Sequence, residues 1–223
     1  MLRRCLLATI GLLAPISILH AQTPSSPPAA TEAPPVEAME EPQLGDHWTY
    51  ELRDEITGDL KSTMTHTITD VTAAEISIRI ATVGKNDSGF QTFNRSWDMI
   101  SGLWRFTPND GLGIRAPLSV GKSWPVKSTA FNGANGVSLK ISGTSKVTAK
   151  ETIVTRAGAF EVYKIETSIE QRNANDATKK FLTEHQTWYA PAIDHWVKRE
   201  IVNRSEGRVR DRSQLELVEY GRR

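Results

Sequence analysis

The sequence predicts an all-β protein, whose sheet is a curved antiparallel sheet or barrel-like half-barrel of about ten to twelve strands. Two observations predict this class. Apolar and polar residues alternate with a period of two over most of residues 44–223, and turn-forming residues interrupt the alternation at short spacing. A flat sheet of this width would leave long exposed edges, so we expect the sheet to curl or to close on itself.

The alternation is clearest in five segments, in which every second residue is apolar. Such residues share one face of a strand, while the Thr and Ser residues between them suit a face in contact with water. The five runs are Trp48-Tyr50-Leu52, Met64-His66-Ile68, Ile76-Ile78-Ile80, Leu139-Ile141 and Leu215-Leu217.

Turn signals separate these runs and predict antiparallel hairpins. Gly next to Asn, Asp, Thr or Ala fits tight reversals, because Gly adopts the backbone conformations that such turns need. The signals are Thr57-Gly58, Asp87-Ser88-Gly89, Pro108 to Gly111, Asn132 to Gly136, Arg156-Ala157-Gly158 and Glu206-Gly207.

Residues 1–21 have the layout of a secretory signal peptide. Arg3 and Arg4 precede an apolar run that extends from Cys5 to Ala14, and the segment ends in the small residue Ala21. The apolar run is about half as long as the roughly 20 residues that a membrane-spanning helix needs. We therefore expect cleavage near Ala21 and a periplasmic mature protein.

Residues 22–43 are predicted to be a disordered Pro-rich linker. They contain six of the 11 prolines of the chain and no aromatic residue, so they have little apolar surface to offset the entropy of ordering. Two interpretations of this segment remain open: a spacer that holds the domain away from a membrane, and a disordered leader without a role. The remaining residues, 44–223, are predicted to form a single β domain.

The composition excludes several partners and chemistries. Of the 27 Lys and Arg residues, 25 remain after residues 1–21, against 26 Asp and Glu residues. This near-neutral balance gives no field that would hold nucleic acid. Cys5, the single cysteine, lies in the predicted signal peptide. The mature chain would thus have no disulfide, thiolate nucleophile or zinc–thiolate site.

The four histidines outside residues 1–21 show no metal-binding spacing. His47, His66, His185 and His195 form neither His-x-His nor His-Glu-x-x-His, so we expect no metal and no cofactor. The sequence also has no Gly-x-Ser-x-Gly motif. A hydrolase stays a weak alternative, because geometry rather than spacing defines a Ser-His-Asp triad.

The six tryptophans fall into two groups. Those in or beside regular alternating runs are predicted core residues, namely Trp48, Trp188 and Trp196. Those in less regular segments are predicted ligand-binding residues at the mouth of a cavity, namely Trp97, Trp104 and Trp124. Trp suits that role because it combines a large apolar surface with a polar N–H group.

Arg208, Arg210 and Arg212 would project from the same face of a strand. Their guanidinium groups are candidates for contact with anions such as lipid headgroups or wall polymers, which would give peripheral membrane contact. The alternative is a solvated face that is balanced by the carboxylates of Glu206, Asp211 and Glu216.

Four segments, in this order, carry a resemblance to a known family: Gly45–Tyr50, Val120–Trp124, Ala157–Glu166, and Thr187–Pro191 with Trp196–Glu200. The chain resembles exported bacterial domains of unknown function, the TapB-like proteins, whose sheets are similar to the half-barrels of lipoprotein carriers. The resemblance extends from Gly45 to Tyr220. It implies an all-β envelope domain and carries over no catalytic residue.

These observations predict a non-enzymatic exported protein that binds an apolar or amphipathic ligand, such as a lipid, or an envelope partner in a concave sheet. The alternative is a structural or assembly factor that packs on other envelope proteins and holds no ligand. A large apolar cavity would favour the first function, and a filled interior with an exposed apolar patch would favour the second.

We predict that the exported protein begins at or near Gln22, because the positive head, short apolar run and Ala21 together form a cleavable signal. N-terminal sequencing of protein recovered from the envelope measures this. A mature chain that still begins at Met1 would contradict cleavage and favour a membrane-tethered spacer.

Overall fold

Twelve antiparallel strands form one sheet in the computed structural model, which describes residues 39–108, 112–176 and 178–222. One short 3-10 helix, Pro191–Ile193, is the single helix within those ranges. The predicted all-β class with a curled, barrel-like sheet is confirmed. The strands are β1 (His47–Asp54), β2 (Leu60–Val71), β3 (Glu75–Thr82), β4 (Ser88–Asn94), β5 (Met99–Ser101), β6 (Trp104–Thr107), β7 (Ser123–Asn132), β8 (Ser138–Thr155), β9 (Gly158–Asn173), β10 (Lys180–Ala190), β11 (His195–Ser205) and β12 (Arg208–Gly221).

The strand order places the two edges of the sheet in the middle of the chain. Each strand pairs with its neighbours in sequence, except that β5 and β6 do not pair, and β1 also pairs with β12. The order is therefore β5-β4-β3-β2-β1-β12-β11-β10-β9-β8-β7-β6. Strands β5 and β6 approach each other without a ladder between them. We call this unpaired boundary between β5 and β6 the seam.

Bulges and one glycine let the long strands bend. The pairing register shifts at several points, including Thr49/Tyr50 and Trp188/Tyr189, and such bulges increase the local twist of a strand. Gly143 of β8 lies opposite Ile169 of β9. A Cβ atom there would lie 2.1 Å from the Ser168 backbone oxygen, so only glycine fits.

The centre of the core is an aromatic cluster that includes two of the predicted core tryptophans. Trp48 is 1% exposed and Trp196 is 5% exposed, which confirms their placement. The Trp97 ring meets both of them edge-on, at centroid distances of 5.9 and 6.1 Å. The Tyr50 hydroxyl donates a hydrogen bond of 2.8 Å to the Trp196 carbonyl oxygen, which ties β1 to β11 across the interior.

Trp188 is also buried, as predicted, but charged side chains rather than other aromatic rings surround it. Its ring is covered by the Lys164 and Lys198 ammonium groups, 5.2 and 4.8 Å from the ring centroid. Its Nε1 donates a hydrogen bond of 2.8 Å to the Glu151 carboxylate. Cation–π contacts and long aliphatic stems therefore cover this ring.

The ordered part begins before the predicted boundary at residue 44. Residues 39–43 were expected to be disordered, but Met39 is fully buried and its N–H group donates a hydrogen bond of 2.6 Å to the Ala192 carbonyl. Glu41 pairs with Arg95 at 3.0 Å. Burial of one flexible apolar side chain anchors this segment. The predicted signal peptide, 1–21, and the rest of the predicted linker, 22–38, lie outside the described residues.

None of the helical structure in the described ranges is long and apolar enough to cross a membrane.

We predict that Trp48→Ala lowers the free energy of unfolding by about 3–5 kcal/mol, because removing a buried Trp leaves a cavity that the core cannot fill. Urea unfolding measures the loss. Val154→Ala is the control, since Val154 is 78% exposed and its loss should stay within about 0.5 kcal/mol. A loss below about 1 kcal/mol in Trp48→Ala would contradict its central place in the core.

Candidate functional site

Two adjoining cavities lie on the inner side of the sheet. The first, the inner cavity, has a volume of about 200 Å³ and the second, the β6 cavity, about 250 Å³. Three residues, Phe106, Leu112 and His185, line both. Most other wall residues are apolar, among them Phe93, Met99, Ile114 and Ile165 in the inner cavity and Ala130, Leu139, Ile141 and Ile169 in the β6 cavity.

The seam borders the inner cavity. Met99 of β5 and Phe106 of β6 belong to its wall, so one wall is formed by strands that no ladder joins. Trp104 of β6 lines the neighbouring β6 cavity. A passage for a ligand would require the least rearrangement here, because no backbone hydrogen bonds cross the seam.

The segment that covers the inner cavity is held by the buried carboxylate of Asp98. The Gly113 N–H group donates a hydrogen bond of 2.5 Å to Asp98 Oδ1, and Arg115 Nη1 donates one of 2.6 Å to Oδ2. A Cβ atom on Gly113 would lie 2.3 Å from the Ser96 backbone oxygen. Glycine is therefore required for this docking, which fixes Leu112 and Ile114 in the cavity wall.

Arg199 supplies the polar part of the inner cavity wall. Its Nε donates a hydrogen bond of 3.1 Å to Thr187 Oγ1, and its guanidinium lies 4.1 Å from the centroid of the Trp196 ring. Burial lowers the pKa of Arg199 from 12.5 to about 10, so the group stays protonated near neutral pH. The inner cavity thus combines apolar walls with one cationic side chain.

Two buried histidines, His66 and His195, and the half-buried His185 lie near this cation and stay neutral. Burial, with the charge of Arg199 as a second cause, lowers the pKa of His66 to about 4 and that of His185 to about 3. Burial also lowers the pKa of His195 well below its ordinary value. The ring nitrogens of His66 and His195 have no hydrogen-bond partner in the described part of the chain, so neither is paired with a serine hydroxyl.

Asp194 is a half-buried acid at the edge of the aromatic cluster. Its carboxylate accepts hydrogen bonds from the Tyr189 hydroxyl at 2.5 Å and from Trp97 Nε1 at 3.2 Å. Burial nevertheless raises its pKa to about 6. Trp97 and Asp194 both have positive φ angles, 59° and 44°, so this hydrogen bond joins two locally strained turns.

The predicted ligand-binding tryptophans separate in the structure. Trp97 lines the inner cavity and Trp104 lines the β6 cavity, so the fold brings these two to adjoining spaces. Trp124 instead lies in β7, a regular alternating strand, where it is buried and belongs to neither wall. Its segment only looked irregular because Pro125 and exposed polar residues surround it.

The predicted anion-contact arginines lie on the surface of β12, away from both cavities. Arg208, Arg210 and Arg212 are exposed, and the last two form ion pairs, Arg210 with Glu206 at 3.2 Å and Arg212 with Glu55 at 2.7 Å. Glu206 was a predicted partner, whereas Glu55 was not. Arg212 also borders an open depression of about 490 Å³ whose charged residues have both signs, namely Lys146, Glu166, Glu184, Glu200, Arg204 and Arg212.

Sequence reasoning missed Arg199 and His185 as cavity residues. Both occupy alternating positions in strands, but periodicity alone does not say which face turns inward. The bulge opposite Trp188 and Tyr189, where Val197 is the extra residue, further changes the phase between the two ends of β11. Among the described residues, no three His, Cys, Asp or Glu side chains converge in a way that could hold a metal ion.

The fold and its cavities define a class: a curled all-β domain with small, mainly apolar cavities on the inner side of its sheet. Two solved structures share this fold. A candidate lipoprotein from Parabacteroides distasonis has a TM-score of 0.57 and 15% identity, with 82% of this chain and 99% of that chain covered. A candidate exported protein with a YmcC-like fold from Bacteroides fragilis has a TM-score of 0.55 and 14% identity, with 84% and 100% covered. No family model and no curated protein matches the chain.

We predict that acid destabilises the protein through its buried histidines. The pKa of His66 is depressed to about 4 in the folded state. The stability that its neutral side chain contributes is therefore present above pH 6.5 and is lost as the pH falls through 4. Between pH 7 and pH 4 this amounts to about 3 kcal/mol. Urea unfolding of wild type and His66→Phe at both pH values measures the loss, which should be about 3 kcal/mol smaller in the variant, while His185 and His195 keep the rest.

Asp194 provides the matched control, because its titration changes the free energy of unfolding with pH in the opposite direction. Its raised pKa stabilises the folded state at low pH and this contribution is lost as the pH rises through about 6. Asp194→Asn should therefore make the acid destabilisation steeper. A His66→Phe variant with the same pH dependence as wild type would contradict the assignment to His66.

Proposed function

We propose that the protein is a non-enzymatic envelope protein that holds an apolar or amphipathic ligand, such as a lipid, in the inner cavity and the β6 cavity. The observation that carries this proposal is the shared wall of Phe106, Leu112 and His185, which joins two mainly apolar spaces beside the seam. Ligand sites commonly have volumes of about 300–1,000 Å³. Each cavity is smaller than that, at about 200 and 250 Å³, but the two together reach this range.

The proposed location is the periplasm, after removal of residues 1–21. The signal-like segment supports export, and the structural neighbours are described as an exported protein and a lipoprotein. We also propose membership of the TapB-like group, on the four sequence segments that resemble it. Contact with the membrane would be peripheral, and neither a cofactor nor nucleic acid is part of the proposal.

We predict that delipidated protein binds a fluorescent fatty acid saturably and that Trp104→Ala weakens binding about tenfold, or about 1.4 kcal/mol. Trp104 is half-buried in the β6 cavity wall, so its removal takes away contact area without emptying the core. Titration of the delipidated protein gives the dissociation constants. Native mass spectrometry of protein from its own envelope should show the added mass of a bound ligand.

Trp188→Phe is the matched control for this titration. Trp188 is more buried than Trp104 but lines neither space, so affinity should change less than about twofold. The absence of saturable binding to delipidated wild type would contradict the proposal. Equal losses in the Trp104 and Trp188 variants would place the ligand elsewhere.

A second candidate function, an assembly factor that packs on other envelope proteins, is favoured by the outer side of the seam. Unpaired edge strands can accept a further strand from a partner. Exposed apolar side chains lie beside these edges, namely Phe90 (64%), Leu103 (68%) and Phe131 (45%). A delipidated protein that binds no fatty acid would favour this function over ligand binding.

A further inference from the structure

Arg199 is a half-buried cation in the wall of the inner cavity, without a carboxylate partner among the described residues. It is the one charged side chain among the described residues that line the inner cavity. Thr187 is its hydrogen-bond partner in the described part of the chain, and no Asp or Glu there pairs with it. On the same strand, Arg204 shows the usual arrangement, since it pairs with Glu184 at 2.9 Å.

The contacts of Arg199 orient its guanidinium without using all of its donors. Nε is bound to Thr187, and the plane of the group packs against the Trp196 ring. The two Nη atoms have no protein acceptor among the described residues. A guanidinium presents such a pair of N–H groups in the forked geometry that matches the two oxygens of a carboxylate.

The neighbouring histidines leave the charge of Arg199 uncompensated. The pKa values of His66, His185 and His195 are all lowered in part by the charge of Arg199, so these side chains do not share or offset that charge. A cation without a carboxylate partner is unfavourable in a mainly apolar wall, and it is stabilised when an anion of suitable geometry binds beside it. The inner cavity is therefore complementary to an anionic group.

The apolar β6 cavity continues from this cationic position. It shares Phe106, Leu112 and His185 with the inner cavity. Its described wall residues include no Asp, Glu, Lys or Arg, and His185 is neutral. A ligand that fills both spaces would have one anionic end and one apolar end. The two spaces, of about 200 and 250 Å³, can together hold an apolar chain beside the anionic group.

We propose that Arg199 binds the carboxylate of a fatty acid whose single acyl chain extends into the β6 cavity. This inference rests on the proposed ligand-binding function and assigns the ligand class and its orientation. Thr187 acts as a positioning residue, since its hydroxyl accepts the Arg199 Nε hydrogen bond and leaves the Nη groups for the ligand.

The test compares three probes on delipidated full-length protein: dodecanoate, 1-dodecanol, which has the same chain without the charge, and acetate, which has the charge without the chain. Calorimetric titration should show dodecanoate binding at least about tenfold more tightly than 1-dodecanol, with acetate weaker still. Arg199→Met should abolish the preference for dodecanoate but change 1-dodecanol affinity less than about twofold, because Met keeps the apolar volume. Arg199→Lys should retain part of the preference.

Arg204→Gln is the matched control, since it removes one positive charge from the same strand outside both cavities and should leave all three affinities unchanged. Equal binding of dodecanoate and 1-dodecanol by wild type would overturn the role of Arg199 while the ligand-binding function stands. Binding of neither would overturn that function itself. Acetate binding as tight as dodecanoate would overturn the assignment of an acyl chain. The comparison of probes on wild type needs no variant, and thermal melts report whether Arg199→Met is folded.

Discussion

The pairing of β1 with β12 is the constraint on which the rest of the structure depends. It joins the sheet formed by β1–β5 to the sheet formed by β6–β12, and without it the order of the strands would be broken in two. It also brings the first strand and the last strand to the middle of the sheet, so the unpaired edges fall on two strands from the middle of the chain. Trp48 and Tyr50 of β1 then lie at the centre of the core, where they contact the rings of residues from β2 and β11.

The candidate site exists only when both halves of the sheet have come together. Phe93, Trp97 and Met99 come from the first half, whereas Ile165, His185 and Arg199 come from the second. Between them, the segment around Gly113 is fixed by the buried Asp98 carboxylate. Long-range contacts of this kind form late because the loop-closure entropy must be overcome first. Cavity geometry is consequently coupled to closure of the whole sheet.

The interior holds ionisable groups whose burial is unfavourable for folding. Three histidines are kept neutral, Asp194 titrates near pH 6, and Arg199 retains its charge without a carboxylate partner in the described residues. Residues that reduce stability in this way are common where a protein binds or reacts, because stability and function impose different requirements on the same position. The surface arginines of β12 are unlike Arg199, since Arg210 and Arg212 pair with nearby glutamates in solvent.

The sequence by itself determined the all-β class, the approximate strand number, most hairpin positions and the burial of Trp48, Trp188 and Trp196. These follow from alternation and turn chemistry, which are local properties of the chain. Tertiary structure decided that Trp97 and Trp104 line adjoining cavities while Trp124 does not, that Met39 is buried, and that Arg199 is turned inward. The physical reason is that alternation gives a strand two faces that the sequence pattern does not distinguish. A bulge then moves the side chains that follow it to the opposite face. Only the pairing of distant strands selects which face is enclosed.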